Sequence, residues 1–230
     1  MYELDKKTNT KSGIVTIVGR PSAGKSTFLN AVCGGKVSIV SSIPQTTRNT
    51  IRGIVSNAEG QILFLDTPGL HESDKKFNEQ LRNVSVSALQ DVDAVLYLID
   101  ATRSIGSEEE KIFQLLKVQD AEKKLVVALN KIDDKKSQVG VTKLLVEKNF
   151  PLVIAENRFF EISAKNKTNL DAVLASLMQL LPSGEPMYPA DFYTDQDVAF
   201  RISEIIREKA IENTREEVPH ALYAKIDEMK

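Results

Sequence analysis

Disulfides are excluded from this fold, because the 230 residues include a single cysteine, Cys33. An unpaired cysteine on the apolar side of a helix reads as a small core residue of a reducing compartment. Histidine is scarce as well: His71 and His220 are too few and too isolated to build a metal centre. No apolar run approaches the length that spans a bilayer, and the polar start Tyr2-Glu3-Leu4-Asp5-Lys6-Lys7 does not read as a secretory signal. Charge of one sign is also missing. With 27% charged residues and a net charge of −2, the chain has no overall pull toward nucleic acid, which leaves only a local patch for such a partner. There is no internal repeat and no low-complexity tract. What remains is 42% apolar residues in a length suited to one large domain and an appendage.

The segment Gly19-Arg20-Pro21-Ser22-Ala23-Gly24-Lys25-Ser26 fits the pattern G-x-x-x-x-G-K-[ST]. It follows the β-branched run Ile14–Val18 and precedes Thr27–Cys33, a helical stretch closed by Gly34-Gly35. Strand, glycine loop and helix are the context in which this motif cradles phosphates. Backbone N–H groups of Gly19 and Ser22 to Thr27 are expected to turn toward a triphosphate, helped by the helix dipole. Lys25 would reach the outer phosphates, and the Ser26 hydroxyl would bind Mg²⁺.

Strands and helices alternate up to Pro182. Strands are expected at 51–56, 61–66, 93–100, 124–130 and 158–163, and helices near 77–90, 107–118, 137–148 and 168–181. The runs Asp93–Asp100 and Lys124–Asn130 are almost continuously apolar, as in strands covered by helices on both faces. The pattern predicts an α/β fold: a doubly wound, mostly parallel six-stranded sheet over residues 1–182. Residues 183–195 read as a proline-rich linker. Beyond it lie a helix near 196–213 and an alternating strand pattern from Leu222 to Asp227. Residues 196–230 hold too few elements to close a second core.

Three further segments sit at expected strand ends. Asp66-Thr67-Pro68-Gly69 follows Ile62–Leu65, where Asp66 can hold Mg²⁺ through water and the Gly69 N–H can touch a γ-phosphate. Asn130-Lys131-Ile132-Asp133 ends another strand. The Asp133 carboxylate can accept from guanine N1–H and the 2-amino group, a pairing adenine cannot offer. Lys131 can lie over the base and Asn130 can brace the loop. In Ser163-Ala164-Lys165 the Ala164 N–H could meet guanine O6. Between the first helix and second strand, Ile43-Pro44-Gln45-Thr46-Thr47-Arg48 offers a threonine, Thr47 by motif match, to complete the Mg²⁺ shell when a γ-phosphate is present. Lys25, Thr47 and Gly69 form the expected catalytic set, and Ser26, Thr47 and Asp66 the metal set.

Four such motifs in this order resemble the translation-factor-related class of P-loop GTPases. Within it, Pro44–Arg48, Asp66–His71, Ser203–Lys209 and Glu217–His220 resemble the Era family of bacterial ribosome-assembly GTPases. The resemblance implies GTP and GDP as ligands, Mg²⁺ as cofactor, K⁺ as a candidate second cation, and the small ribosomal subunit and its rRNA as partners. It implies a cytoplasmic location with a peripheral contact at the inner face of the cell membrane, and no role for DNA. In that family the tail opens a KH domain. Here no two of the 11 glycines are three positions apart, so the Gly-x-x-Gly clamp is absent. The tail is therefore expected to be a truncated KH domain, and residues 196–230 are not expected to grip RNA.

Two departures shape the expected chemistry. Ser22 stands where relatives often carry asparagine beside a potassium ion, and Leu70 stands where Ras-type enzymes place a water-orienting glutamine. Slow hydrolysis of GTP by a molecular switch is the main expectation, with loops near 37–50 and 67–77 ordered by the γ-phosphate. A nucleotide-binding module with negligible hydrolysis stays open on Leu70 and Ser22. An ATP-using P-loop kinase is a third reading, opposed by Asn130–Asp133.

Overall fold

The computed structural model describes residues 10–38, 51–66, 89, 91–213, 224–226 and 228, with the backbone alone for Ile51, Arg52, Asp66 and Glu212. Six strands form one sheet: β1 (Lys11–Val18), β2 (Ile51–Asn57), β3 (Gly60–Asp66), β4 (Ala94–Asp100), β5 (Leu125–Asn130) and β6 (Phe159–Glu161). Their order is β2-β3-β1-β4-β5-β6, with β2 antiparallel to β3 and every other pairing parallel. The doubly wound, mostly parallel sheet expected from the strand pattern is therefore present.

Among the described residues six helices accompany it: α1 (Lys25–Cys33), α2 (Ser107–Val118), α3 (Val139–Asn149), α4 (Pro151–Ala155), α5 (Leu170–Leu180) and α6 (Val198–Glu212). A strand carries alternate side chains to opposite faces, which explains the unbroken apolar runs. In β4, Leu96 and Leu98 face a core containing Phe28 and Leu29 of α1 and Val173 and Leu177 of α5. Val95, Tyr97 and Ile99 face the other core, with Ile112 and Phe113 of α2, Val146 of α3 and Val153 of α4. Tyr97, Phe113 and Phe150 meet edge to face, with centroid separations of 5.9 and 5.5 Å. Cys33 is buried in the α1 core, and burial pushes its thiol up to about 12, so it is packing rather than chemistry.

Several expectations are adjusted. The last strand is only three residues long, and α4 and a 3₁₀ turn at Ala121–Lys124 had no expected counterpart. The helix expected at 77–90 lies outside the described residues except for Leu89, which is helical and buried. Of the strand expected from Leu222 to Asp227, residues 224–226 have no regular structure and the rest lie outside the described residues.

Hydrogen bonds fasten the proline-rich segment to the sheet. Ser12 N–H donates to Pro182 O (3.1 Å) and Gly184 N–H to Thr10 O (3.0 Å). The buried Gln61 amide accepts from the Met187 and Tyr188 N–H groups and donates to Tyr188 O. Along the outer strand, Ile54 N–H donates to Tyr193 O at 2.9 Å, which satisfies part of an edge that would otherwise be open for pairing. α6 is started by Asp197, whose carboxylate accepts from the Ala199 and Phe200 N–H groups. Lys36, just after α1, pairs with Glu208 of that helix at 2.7 Å.

Candidate functional site

The parallel strands β3, β1, β4, β5 and β6 all end on one edge of the sheet. The chain leaves β1 toward β3 on one side, whereas β4, β5 and β6 lie on the other. Open α/β sheets bind ligands at such a reversal, beyond the carboxyl ends of the strands. The four expected motifs begin at these ends.

The phosphate loop joins β1 to α1 through two glycines that no other residue could replace without rearrangement. At Gly19 (φ +156°) a Cβ would lie 2.4 Å from the Leu98 carbonyl oxygen, so the loop must pass directly over β4. At Gly24 (φ +97°) it would lie 2.2 Å from Asn130 Nδ2. Ser22, exposed and left-handed at φ +61°, turns the chain between them. Gly24 is also the N-cap of α1, which therefore starts without a side-chain cap. Amide groups of the helix's first turn lack helical acceptors, and a left-handed turn leading into that end forms an anion-binding concavity. Lys25 is buried (8% exposed), and its ammonium donates to the carbonyls of Gly19 (3.0 Å) and Arg20 (2.9 Å). Ser26 and Thr27 follow, both half-buried, in the first turn of α1.

Asn130, 2% exposed, joins the phosphate loop to the far end of the site. Its Nδ2 donates to Ala23 O (2.9 Å) and its Oδ1 accepts from Ala164 N–H (2.9 Å). The expected bracing role thus has a concrete form, bridging two loops. The second bond modifies an expectation: the Ala164 N–H, assigned to guanine O6, is directed at Asn130. An incoming oxygen must share that proton or displace the amide. Asp133 is exposed beside this bridge, while Ser163 is buried and Lys165 exposed. Lys131 holds a left-handed backbone (φ +68°), and its ammonium sits 2.6 Å from Asp100 Oδ2.

Two groups missed from the sequence support these loops. Asp100 ends β4 and is 3% exposed. Burial alone would raise its pKa, but bonds from Lys131 and Thr102 outweigh that and hold it below the usual carboxylate range. An acid ending an apolar strand was the signal that singled out Asp66, and it applied equally to Asp100. Arg20, inside the phosphate loop, reaches α2: Nη1 donates to Glu109 Oε2 (2.7 Å), and Nε lies against Glu108. Burial pushes the Glu109 carboxyl up, against the attraction of Arg20. No local pattern marked this contact, since 89 positions separate the partners.

Asp66 ends β3 opposite Ile17 of β1, two residues before the phosphate loop begins. Thr47, Gly69 and Leu70 lie outside the described residues. The Asp66 backbone and the first turn of α1, which carries Ser26, adjoin the same edge of the sheet. Among the described residues no cluster of three or more His, Cys, Asp or Glu is arranged to hold a metal, and no helix is long and apolar enough to cross a membrane.

The family profile described as 50S ribosome-binding GTPase matches residues 14–131. The GTPase Era of Treponema denticola is 55% identical over 217 residues, covering 94% of this chain and 73% of the relative. That of Treponema pallidum is 47% identical, with 96% and 74% covered. Among solved structures, a variant of Aquifex aeolicus Era bound to GDP·AlF4⁻ superposes with a TM-score of 0.83 at 37% identity, over 96% of this chain and 74% of that one. Era in complex with MgGDPNP and nucleotides 1506–1542 of 16S ribosomal RNA gives 0.84 at 37% identity, with the same coverage.

Proposed function

The chain belongs to the Era family of GTPases, and from that premise we propose how its residues divide the work of a guanine-nucleotide switch. The reaction is hydrolysis of GTP to GDP and phosphate: water forms the new bond to the γ-phosphorus as the bond to the GDP oxygen breaks. The observation that supports the assignment is the Asn130 bridge, in which one buried side chain bonds both the phosphate loop at Ala23 and the Ser163–Lys165 loop at Ala164.

Gly19 and Ser22 to Thr27 present backbone N–H groups to the phosphates. Lys25, held at the loop by two carbonyls, adds a positive charge where the outer phosphates sit. Asp133 accepts from the guanine N1–H and 2-amino groups, Lys131 covers the base, and Ser163, Ala164 and Lys165 close the far side. Mg²⁺, when bound, neutralises charge on the outer phosphates; Ser26 and Asp66 are the residues that would hold it, with Thr47 joining in the triphosphate state. Thr47 and the Gly69 N–H read the γ-phosphate, so hydrolysis releases both loops. Leu70 offers no polar group to orient water, and intrinsic turnover is accordingly slow.

Competition of GTP, GDP and ATP for the site, followed by phosphate release in a single turnover, tests this reading. Selective guanine binding with slow release of phosphate is expected. Equal affinity for ATP would overturn the base assignment, and absence of phosphate release would leave a binding module. Ser22 is exposed and its hydroxyl is a weaker ligand than an amide oxygen, so potassium should accelerate hydrolysis little over sodium at matched ionic strength, and Ser22→Asn should enlarge the effect. Strong potassium activation of the unmodified chain would mean that backbone carbonyls alone hold that ion.

The cellular role is that of the family, small-subunit assembly. The 16S RNA bound to a relative points there rather than to the large subunit named in the broad family description. A cytoplasmic setting goes with that role, and peripheral membrane contact is testable by vesicle flotation. Residues 196–230 contribute little to RNA binding, since from position 183 onward the chain carries six Lys/Arg against eleven Asp/Glu and no Gly-x-x-Gly. Titrating labelled 16S 3′-end RNA at two salt concentrations should show weak, salt-sensitive association. Tight binding that survives the higher salt would reveal an RNA surface elsewhere on the chain.

A further inference from the structure

Among the side chains given a role above, the Asp100 carboxylate bonds that of Lys131, and the division of labour just described does not use it. It ends β4 on the ligand edge of the sheet, nearly fully buried. One carboxylate oxygen accepts from Thr102 twice, from N–H at 2.9 Å and from Oγ1 at 2.7 Å. The other accepts from the Lys131 ammonium at 2.6 Å. Lys131 itself is held in a left-handed backbone that a non-glycine residue seldom adopts. Its neighbours are pinned on both sides, Ala101 N–H to Asn130 O (2.9 Å) and Ile132 N–H to Ile162 O (3.3 Å). A lysine side chain about a third exposed would ordinarily sample many rotamers. This one is tied at the backbone and at the ammonium, so its four-carbon stem is fixed between them.

We propose that Asp100 is a positioning residue for the nucleotide base: by anchoring the Lys131 ammonium it preforms the wall against which the purine ring lies. The proposal rests on the reading of Asn130–Asp133 as the base-recognition loop. Ordering the stem before the ligand arrives removes a cost that binding would otherwise bear. Because the wall touches the base and not the phosphates, GDP and GTP should depend on Asp100 equally, and the chemical step should not depend on it at all.

The test is displacement of a fluorescent GDP analogue from the full chain. Asp100→Asn retains the volume and an acceptor for Thr102, but turns an N–H toward the ammonium. It should speed GDP and GTP dissociation about five- to tenfold, the range for one partly exposed charged hydrogen bond, and leave single-turnover hydrolysis of saturated protein unchanged. Lys131→Met keeps the stem and removes the anchor, so it should match that acceleration. The double variant should be no faster than either single one, because Asp100 acts through Lys131. A merely structural Asp100 would instead impose its full effect in both backgrounds, which would overturn the proposal. Dissociation within twofold of the unmodified rate in Asp100→Asn would do the same. If that variant does not fold, Lys131→Met decides alone, and an unchanged rate overturns the proposal. Failure of the unmodified chain to bind GDP would remove the base reading as well, whereas normal binding indifferent to Asp100 removes only this inference.

Discussion

Replacing Asn130 by alanine should unfold the protein at a lower temperature even when no nucleotide is present. The side chain is 2% exposed and makes two hydrogen bonds, to Ala23 O and from Ala164 N–H, both at 2.9 Å. Truncation leaves a carbonyl and an amide in a buried setting without that partner, at about 1–3 kcal/mol each. Water entering the vacated volume recovers part of this, so a total of roughly 2–4 kcal/mol is expected. For a chain of this size each kcal/mol lowers the melting temperature by about 2–4 °C, which gives an expected drop of roughly 4–16 °C. The assay is thermal unfolding followed by circular dichroism in nucleotide-free buffer, with Asp133→Asn as the control. Asp133 is exposed, so its variant should melt as the unmodified chain does. A second arm uses Gly24→Ala, whose Cβ would meet Asn130 Nδ2 at 2.2 Å. Removing Asn130 makes room for it, and the two substitutions together should cost less than their sum, short of full relief because φ +97° still strains alanine. An unchanged melting temperature in Asn130→Ala, with nucleotide affinity lost, would show that the bridge contributes only in the liganded state and refute the reasoning.

Asp133→Asn should weaken GTP and GDP together and shift preference toward xanthine nucleotides, whose 2-oxo group suits an amide donor; unchanged GTP affinity in a competition assay would remove the base assignment. Arg20→Met strands the buried Glu109 carboxylate, and breaking a buried pair from one side costs about 3–5 kcal/mol. Urea titration should register that loss, and the double variant Arg20→Met with Glu109→Gln should recover part of it. Asp100 has a folded pKa below its ordinary value of 3.8, so its stabilisation is fully present above that value and lost as pH falls through the lower folded one. Stability measured from about pH 5 downward should therefore fall less steeply in Asp100→Asn than in the unmodified chain, and parallel curves would mean that Asp100 contributes no such linkage.

The phosphate loop and the Asn130–Asp133 segment were readable in the sequence because their chemistry is local. The residue types, their spacing and the flanking strand and helix signals all fall within about a dozen positions. The doubly wound sheet was readable for a related reason: β4 and β5 are apolar at every position but the last, which only a strand covered on both faces requires. Element ends were less readable. Arg158–Ser163 narrowed to a three-residue strand that, among the described residues, pairs with β5 alone, since pairing rather than composition decides where a ladder stops. Prolines between 182 and 196 read as a linker, with no local sign of what it would touch. The segment is bound to the sheet, because Ile54 N–H and the Gln61 side chain need partners that the adjacent strands do not supply.

By itself, then, the sequence determined the order of strands and helices, the glycine loop and the polar residues at each strand end, all of which follow from periodicity and short-range sterics. Tertiary structure alone decided which of those residues meet. Asn130 reaches Ala23 across 107 positions, Arg20 reaches Glu109 across 89, and Lys131 reaches Asp100 across 31. Each contact exists because a parallel sheet brings the carboxyl ends of distant strands to one edge, where buried amides and charges must find partners among whatever lies beside them.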